Sequence, residues 1–227
     1  LAPPQNQGNR DCRTRNLMRI LAQGSQVVRR LIYISTTGVY GDHRGAKVSE
    51  VTPVSPQSER AQRRVDAERV LRLWGPAHGV AVTILRVPGI YALDRLPIER
   101  LQSKTPALLP EEDAYSNHIH SDDLARLVCA AVYHGKPQRI INTCDGGETK
   151  MGDYFDEVAD AFGLDRPPRM PASELQKIVN PMLWSFMRES RRVTNTRLHE
   201  LKTPLRYPSV ADFLKTTSKN PSGRLYD

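Results

Sequence analysis

Three groups of side chains in this 227-residue sequence have types and spacings suited to chemistry. Arg60 and Arg64 stand four residues apart, so on a helix they share one face. A guanidinium supplies positive charge and hydrogen-bond donors, but it does not deprotonate in the physiological range. His118 and His120 can both titrate near neutrality. They alternate in an extended stretch, so only one should face a cleft; for each, a capping or surface role is the alternative. Asp122 and Asp123 follow directly and could resemble metal ligands beside the histidines. Carboxylates at a helix start explain them without a metal, and no metal is expected. Tyr40 is a nearby phenol in sequence, and the Thr36 hydroxyl can close a strand-end turn.

These residues need a scaffold, and the pattern predicts one. Residues 14–23 put Leu17, Ile20 and Leu21 on one helical face, with Gly24 as the stop. Leu31-Ile32-Tyr33-Ile34-Ser35 is nearly continuous in apolar character, which suits a parallel strand covered on both faces. A long loop over 38–58 leads to a charged helix over 57–74. Ala61, Val65, Val70, Leu71 and Trp74 can form its apolar stripe, and Gly75-Pro76 should end it. Residues 81–87 read as a second buried strand stopped by Pro88-Gly89, and 90–117 as irregular. Ser121 or Asp122 can cap a helix to about Tyr133, with Leu124, Leu127, Val128 and Ala131 inward. Residues 139–144 make a third strand. Thr149 can cap a helix that ends at Gly163, and Asn195 a short one into Leu201. Alternating strands and helices predict an α/β fold with a parallel sheet. A flexible tail is expected over 216–227.

Composition narrows the class. Hydrophobic residues are 39% and charged residues 26%, which excludes a disordered or fibrous chain. Three cysteines, with no CxxC pair, argue against a disulfide framework and for a reducing, cytoplasmic compartment. No apolar run approaches 18 residues, so no membrane span or membrane partner is expected, and no leader is visible. The net charge of +8 raises nucleic-acid binding as a reading. Dispersed basic residues and 6% aromatics point away from it.

Three stretches in order resemble the extended short-chain dehydrogenase/reductases, the NAD-dependent epimerase/dehydratase group. They are Ile32-Tyr33-Ile34-Ser35-Thr36-Thr37-Gly38-Val39-Tyr40-Gly41-Asp42, Leu85-Arg86-Val87-Pro88-Gly89-Ile90-Tyr91, and Asn117-His118-Ile119-His120-Ser121-Asp122-Asp123-Leu124-Ala125. The resemblance covers about residues 1–205. It implies a Rossmann-type parallel sheet with a small, mainly helical C-terminal lobe. It divides the chain into a part of the NAD(P)-binding domain over 1–148, with lobe segments interleaved at about 90–117, and a substrate lobe over 149–215. Leu1-Ala2-Pro3-Pro4 resembles the end of the family's fourth strand. The Gly-rich turn that receives a pyrophosphate, absent from these 227 residues, is then expected upstream of Leu1.

The same resemblance assigns roles. Thr36 takes the position of the family's catalytic Ser/Thr; closing the strand-end turn is its other reading. The family's Tyr-x-x-x-Lys falls on Arg60 and Arg64, and Glu68 on the Glu that follows. These two arginines are the catalytic candidates with Thr36, and Arg64 also reaches the ribose. A solvated helix face of Arg60, Arg63, Arg64, Arg69 and Arg72 is the alternative. Ala2, Pro3, Ser35, Val87, Pro88 and Gly89 are the further cofactor contacts, the cofactor being NAD or NADP. Thr37, Tyr91 and His118 are the substrate contacts. The apolar run through Met182, Leu183, Trp184, Phe186 and Met187 reads as core or subunit contact, and Ser190-Arg191-Arg192 as a phosphate contact or a solvated stretch. The implied activity is an NAD(P)-dependent oxidoreductase or epimerase/dehydratase acting on a nucleotide-sugar-like small molecule, with a homodimer as a candidate assembly. Arg60 in the tyrosine position raises the alternative of a non-catalytic NAD(P)-binding protein.

Overall fold

The computed structural model describes residues 8–24 and 28–218. Helix α1 (Cys12–Gln23) is capped by Asp11, whose Oδ1 accepts from the Thr14 amide at 2.8 Å. Strand β1 (Arg30–Thr36) runs into a 3₁₀ turn, Thr37–Tyr40, and short β2 (Lys47–Val48) follows. Helix α2 (Glu59–Ala77) starts on a Ser58 cap and precedes β3 (Ala81–Val87) and β4 (Gly89–Tyr91). Then come α3 (Ile98–Gln102), β5 (Ala107–Leu108), β6 (His118–His120), α4 (Ser121–His134) and β7 (Arg139–Asn142). The remainder is α5 (Met151–Phe162), β8 (Arg169–Met170), α6 (Ala172–Ile178), α7 (Pro181–Met187), β9 (Arg192–Val193) and α8 (Val210–Ser218).

The main sheet is parallel, in the order β1-β3-β7, with Thr36 level with Val87 and Arg86 level with Asn142. Met18, Leu71, Val82 and Ile84 pack under α1 and α2 on one face; Leu85, Leu127, Ala131 and Ile141 pack under α4 on the other. This is the predicted α/β architecture. Three two-stranded parallel pairs, β2-β9, β4-β6 and β5-β8, join it to a lobe whose own core holds Phe155, Val158 and Phe213.

Several local expectations fail for physical reasons. The inward face of α1 is Thr14 and Met18, with Leu21 beside them; Leu17 and Ile20 are exposed. Strand β1 packs on both faces, Leu31 and Tyr33 against the α1/α2 cluster and Ile32 against the α4 cluster, but Ile34 near its end remains 45% exposed. Gly75-Pro76 lies inside the last turn of α2. The glycine serves contact, because a Cβ there would sit 2.7 Å from Val82 Cγ2 and 2.9 Å from the Val80 carbonyl. Strand β3 does stop at Pro88, as expected, but Gly89 at once begins β4, donating to the Asn117 carbonyl at 3.0 Å. His120 is the α4 cap, accepting from the Asp122 amide through Nδ1 at 3.2 Å. Thr149 does not cap α5; the carboxylate of distant Asp113 accepts from the Gly152 amide at 2.7 Å. Asn195 donates to the Cys144 carbonyl, and the turn at Leu198–Leu201 begins from Arg197. Helix α8 takes in 216–218, the first residues of the expected tail; 219–227 lie outside the described residues.

Candidate functional site

Parallel strands open a crevice beyond their carboxyl ends, and ligands of such sheets bind there. In this chain a cleft of ≈ 710 Å³ lies at that place. Thr36 and Thr37, at the end of β1, form part of its floor, and Pro88 and Gly89, just past β3, form another. Arg60 and Arg64 project from α2, and His118 comes from β6. The lobe contributes Arg95 and Arg100, Tyr115, Tyr154 and Phe186, and Glu189 and Arg191.

Thr36 closes the strand-end turn and also lines the cleft. Its Oγ1 accepts from the Gly38 amide at 3.1 Å, closing the turn, and the hydroxyl remains on the cleft wall. Arg64 donates from Nη1 to the Tyr33 hydroxyl at 2.9 Å. Arg60 has no hydrogen-bonding side-chain partner among the described residues; its guanidinium carbon lies 4.4 Å from the Phe186 ring centroid. Desolvation by the cleft walls lowers its pKa, as do the neighbouring cations Arg64 and Arg63, while Glu189 opposes them. Arg69 and Arg72 are exposed, as a solvated face requires; Arg60 is exposed too, but it and half-buried Arg64 stand on the cleft wall.

Of the two histidines only His118 lines the cleft. Burial pulls its pKa to about 4, so it is a neutral imidazole at pH 7, packed 4.4 Å from the Tyr154 ring. Asp123 is no metal ligand. Its buried carboxylate accepts from the Arg206 and Tyr207 amides at 2.8 and 2.9 Å and pairs with Arg126, stapling α4 to the chain before α8. No group of three or more metal-ligating side chains occurs among the described residues.

Other expected contacts lie elsewhere. Tyr91 is not at the cleft mouth: it is buried in the lobe core, and its hydroxyl faces the Ser209 carbonyl at 3.4 Å. Ser35 lies beneath the floor, donating to Glu68 at 2.5 Å, and Val87 belongs to the core under α4. Ala2 and Pro3 fall outside the described residues. Tyr40 is fully buried and donates to Asn142 Oδ1 at 2.8 Å, so it offers no phenol to the cleft. Glu68 instead forms a buried ion pair with Arg86, Nη2 to Oε2 at 2.7 Å. The sequence reading missed Arg95, Arg100, Tyr115, Tyr154 and Glu189. Most come from short irregular segments, where no periodicity marks a face. Arg191, left open between two readings, is in the cleft; Arg192 points away and pairs with Glu148.

The profile of the NAD dependent epimerase/dehydratase family matches residues 13–144, more than half of the chain. The chain belongs to this family. Protein YeeZ of Escherichia coli K12 is 28% identical over 138 residues, covering 61% of this chain and 48% of that protein. This chain thus spans about half the length of the curated relatives it matches first. Among solved structures, a conserved protein of unknown function from Silicibacter pomeroyi is 30% identical with a TM-score of 0.76, over 90% of this chain and 70% of that one. The human epimerase family protein SDR39U1, solved with NADPH, shares the fold at TM-score 0.77 and 15% identity, over 92% of this chain and 71% of that one.

Proposed function

We propose that this chain forms the substrate-facing side of an NAD(P)-dependent protein of the epimerase/dehydratase type, its cleft receiving NAD or NADP beside a small, nucleotide-sugar-like metabolite. One observation carries this reading: Thr36, Arg60, Arg64, Pro88, Gly89 and His118, scattered over 80 residues of sequence, line a single cleft at the carboxyl ends of β1 and β3. The donors suit the nicotinamide–ribose end of a dinucleotide. Thr36 keeps a hydroxyl on the wall, Arg64 has donors beyond the one given to Tyr33, and exposed Gly89 puts no side chain in the way of a ligand. No described residue is assigned to the pyrophosphate. A bound nicotinamide supplies the hydride donor or acceptor.

A second reading, a non-catalytic NAD(P)-binding protein, draws support from Arg60. That side chain stands where the resemblance puts a proton-transferring phenol, and a guanidinium cannot replace one. The test uses the full natural chain. Binding of NAD(H) and NADP(H) is measured by nicotinamide fluorescence, followed by a screen for hydride transfer. Failure to bind either dinucleotide sinks both readings. Binding without turnover, with turnover gained in Arg60→Tyr/Arg64→Lys, selects the second.

A further inference from the structure

Five arginines line the cleft, Arg60, Arg64, Arg95, Arg100 and Arg191, against one carboxylate, Glu189. Glu189 is already engaged, its Oε2 2.7 Å from Arg191 Nη1. Arg64 is tied to Tyr33. Arg100 Nη2 donates to the Pro106 carbonyl at 2.7 Å, but its Nε is buried without a partner, as is Arg191 Nε. Arg60 donates no hydrogen bond and forms no ion pair with any described residue; its guanidinium lies over the Phe186 ring. A guanidinium stacked on a ring is held flat, with its N–H edge left for a planar, bidentate acceptor.

We propose that Arg60, braced by Phe186, is the docking residue for an oxyanion carried by the substrate, a carboxylate or a phosphate, and so sets specificity for anionic substrates. Residues of the lobe favour the same charge, since Arg95 and Arg100 also line the cleft. The proposal rests on reading this cleft as the substrate site, and it is tested without a dinucleotide.

Arginine labelling by phenylglyoxal, followed residue by residue in peptides by mass spectrometry, reads it directly. Arg60 should label faster than Arg64, and inorganic phosphate or acetate should slow Arg60 labelling about tenfold, the loss expected for one occupied charge-assisted pair. Exposed Arg72 should show no such protection. Protection by acetate as well as phosphate identifies a carboxylate pocket, and protection by phosphate alone a phosphoryl pocket. Phe186→Leu should remove most of the protection while circular dichroism stays native. Equal labelling with and without both anions, or equal protection of Arg60 and Arg72, overturns the proposal. Dinucleotide binding is scored separately: protection without it leaves the anion site standing alone, and binding without protection removes only the anion site.

Discussion

Arg191 donates from Nη1 to the carbonyl oxygen of Gly41 at 2.8 Å, one of several bonds that join the turn after β1 to the segment after α7 at the edge of the cleft. Gly41 sits at φ +70, and a Cβ there would stand 2.1 Å from the Ser55 carbonyl oxygen, a backbone atom that cannot swing aside. Gly41→Ala should therefore cost roughly 3 kcal/mol, from left-handed strain plus the clash. Urea unfolding checks this. A loss within experimental error of zero would mean that the turn relaxes freely and does not hold Arg191.

The Arg86–Glu68 pair lies under the cleft floor with both side chains almost fully buried. Ser35 adds a hydroxyl to Glu68, and the Arg86 guanidinium lies 4.8 Å from the Tyr40 ring centroid. Removing one partner strands the other charge in a low-dielectric site. Glu68→Gln should cost about 3–5 kcal/mol, while Glu68→Leu/Arg86→Met should recover much of it. Equal losses for the single and double variants would show that the pair itself, not the orphaned charge, carries the stability.

Helix α5 has no cap from its own chain neighbours, because Lys150 at the cap position makes no capping bond and its Nζ donates instead to the Pro110 carbonyl. Asp113 reaches it from the loop after β5, accepting from the Gly152 and Ala114 amides at 2.7 and 2.9 Å. Asp113→Ala should destabilise the chain by about 1–2 kcal/mol, the range for a lost N-cap. Hydrogen exchange should show the first turn of α5 opening before the main sheet does. Uniform protection across α5 in the variant would count against a remote cap.

Asp113 also shows where sequence reading stops. The three main strands, α4 and the Gly163 end of α5 were legible because each combines an apolar period with a local start or stop signal. The Thr36–Arg64–Gly89–His118 cleft was legible through the family resemblance, whose motifs lie at or beside the carboxyl ends of the parallel strands. Remote partners carry no such signal. Glu50 accepts from the Asn142 and Arg197 amides and from the Thr196 hydroxyl across more than 90 residues. Nothing in its local sequence marks it. The α1 face failed for a related reason: Leu17 and Ile20 share the period with Leu21, but α2 meets the helix at Met18.

Two neighbouring buried groups should tilt stability in opposite directions with pH. The Asp145 amide donates to the His118 carbonyl at 2.8 Å. Burial lowers the His118 imidazole from 6.5 to about 4. Between those values the unfolded chain binds a proton that the native one refuses, so this group makes stability rise with pH. Burial raises the Asp145 carboxyl from 3.8 to about 7, with Asp123 and Glu157 adding repulsion and the Gly147 amide opposing, and its Oδ2 has no partner. Here the native chain holds a proton that the unfolded one has lost, so stability falls as pH rises through that window. From about pH 4 to 6.5 the two slopes offset each other. Asp145→Asn should expose the rising slope of His118, up to ~1.4 kcal/mol per pH unit, and His118→Gln the falling slope of Asp145. Urea unfolding at intervals across this window measures both. If Asp145→Asn leaves the profile parallel to that of the parent chain, Asp145 ionises alike folded and unfolded, and the paired origin of the flat profile is wrong.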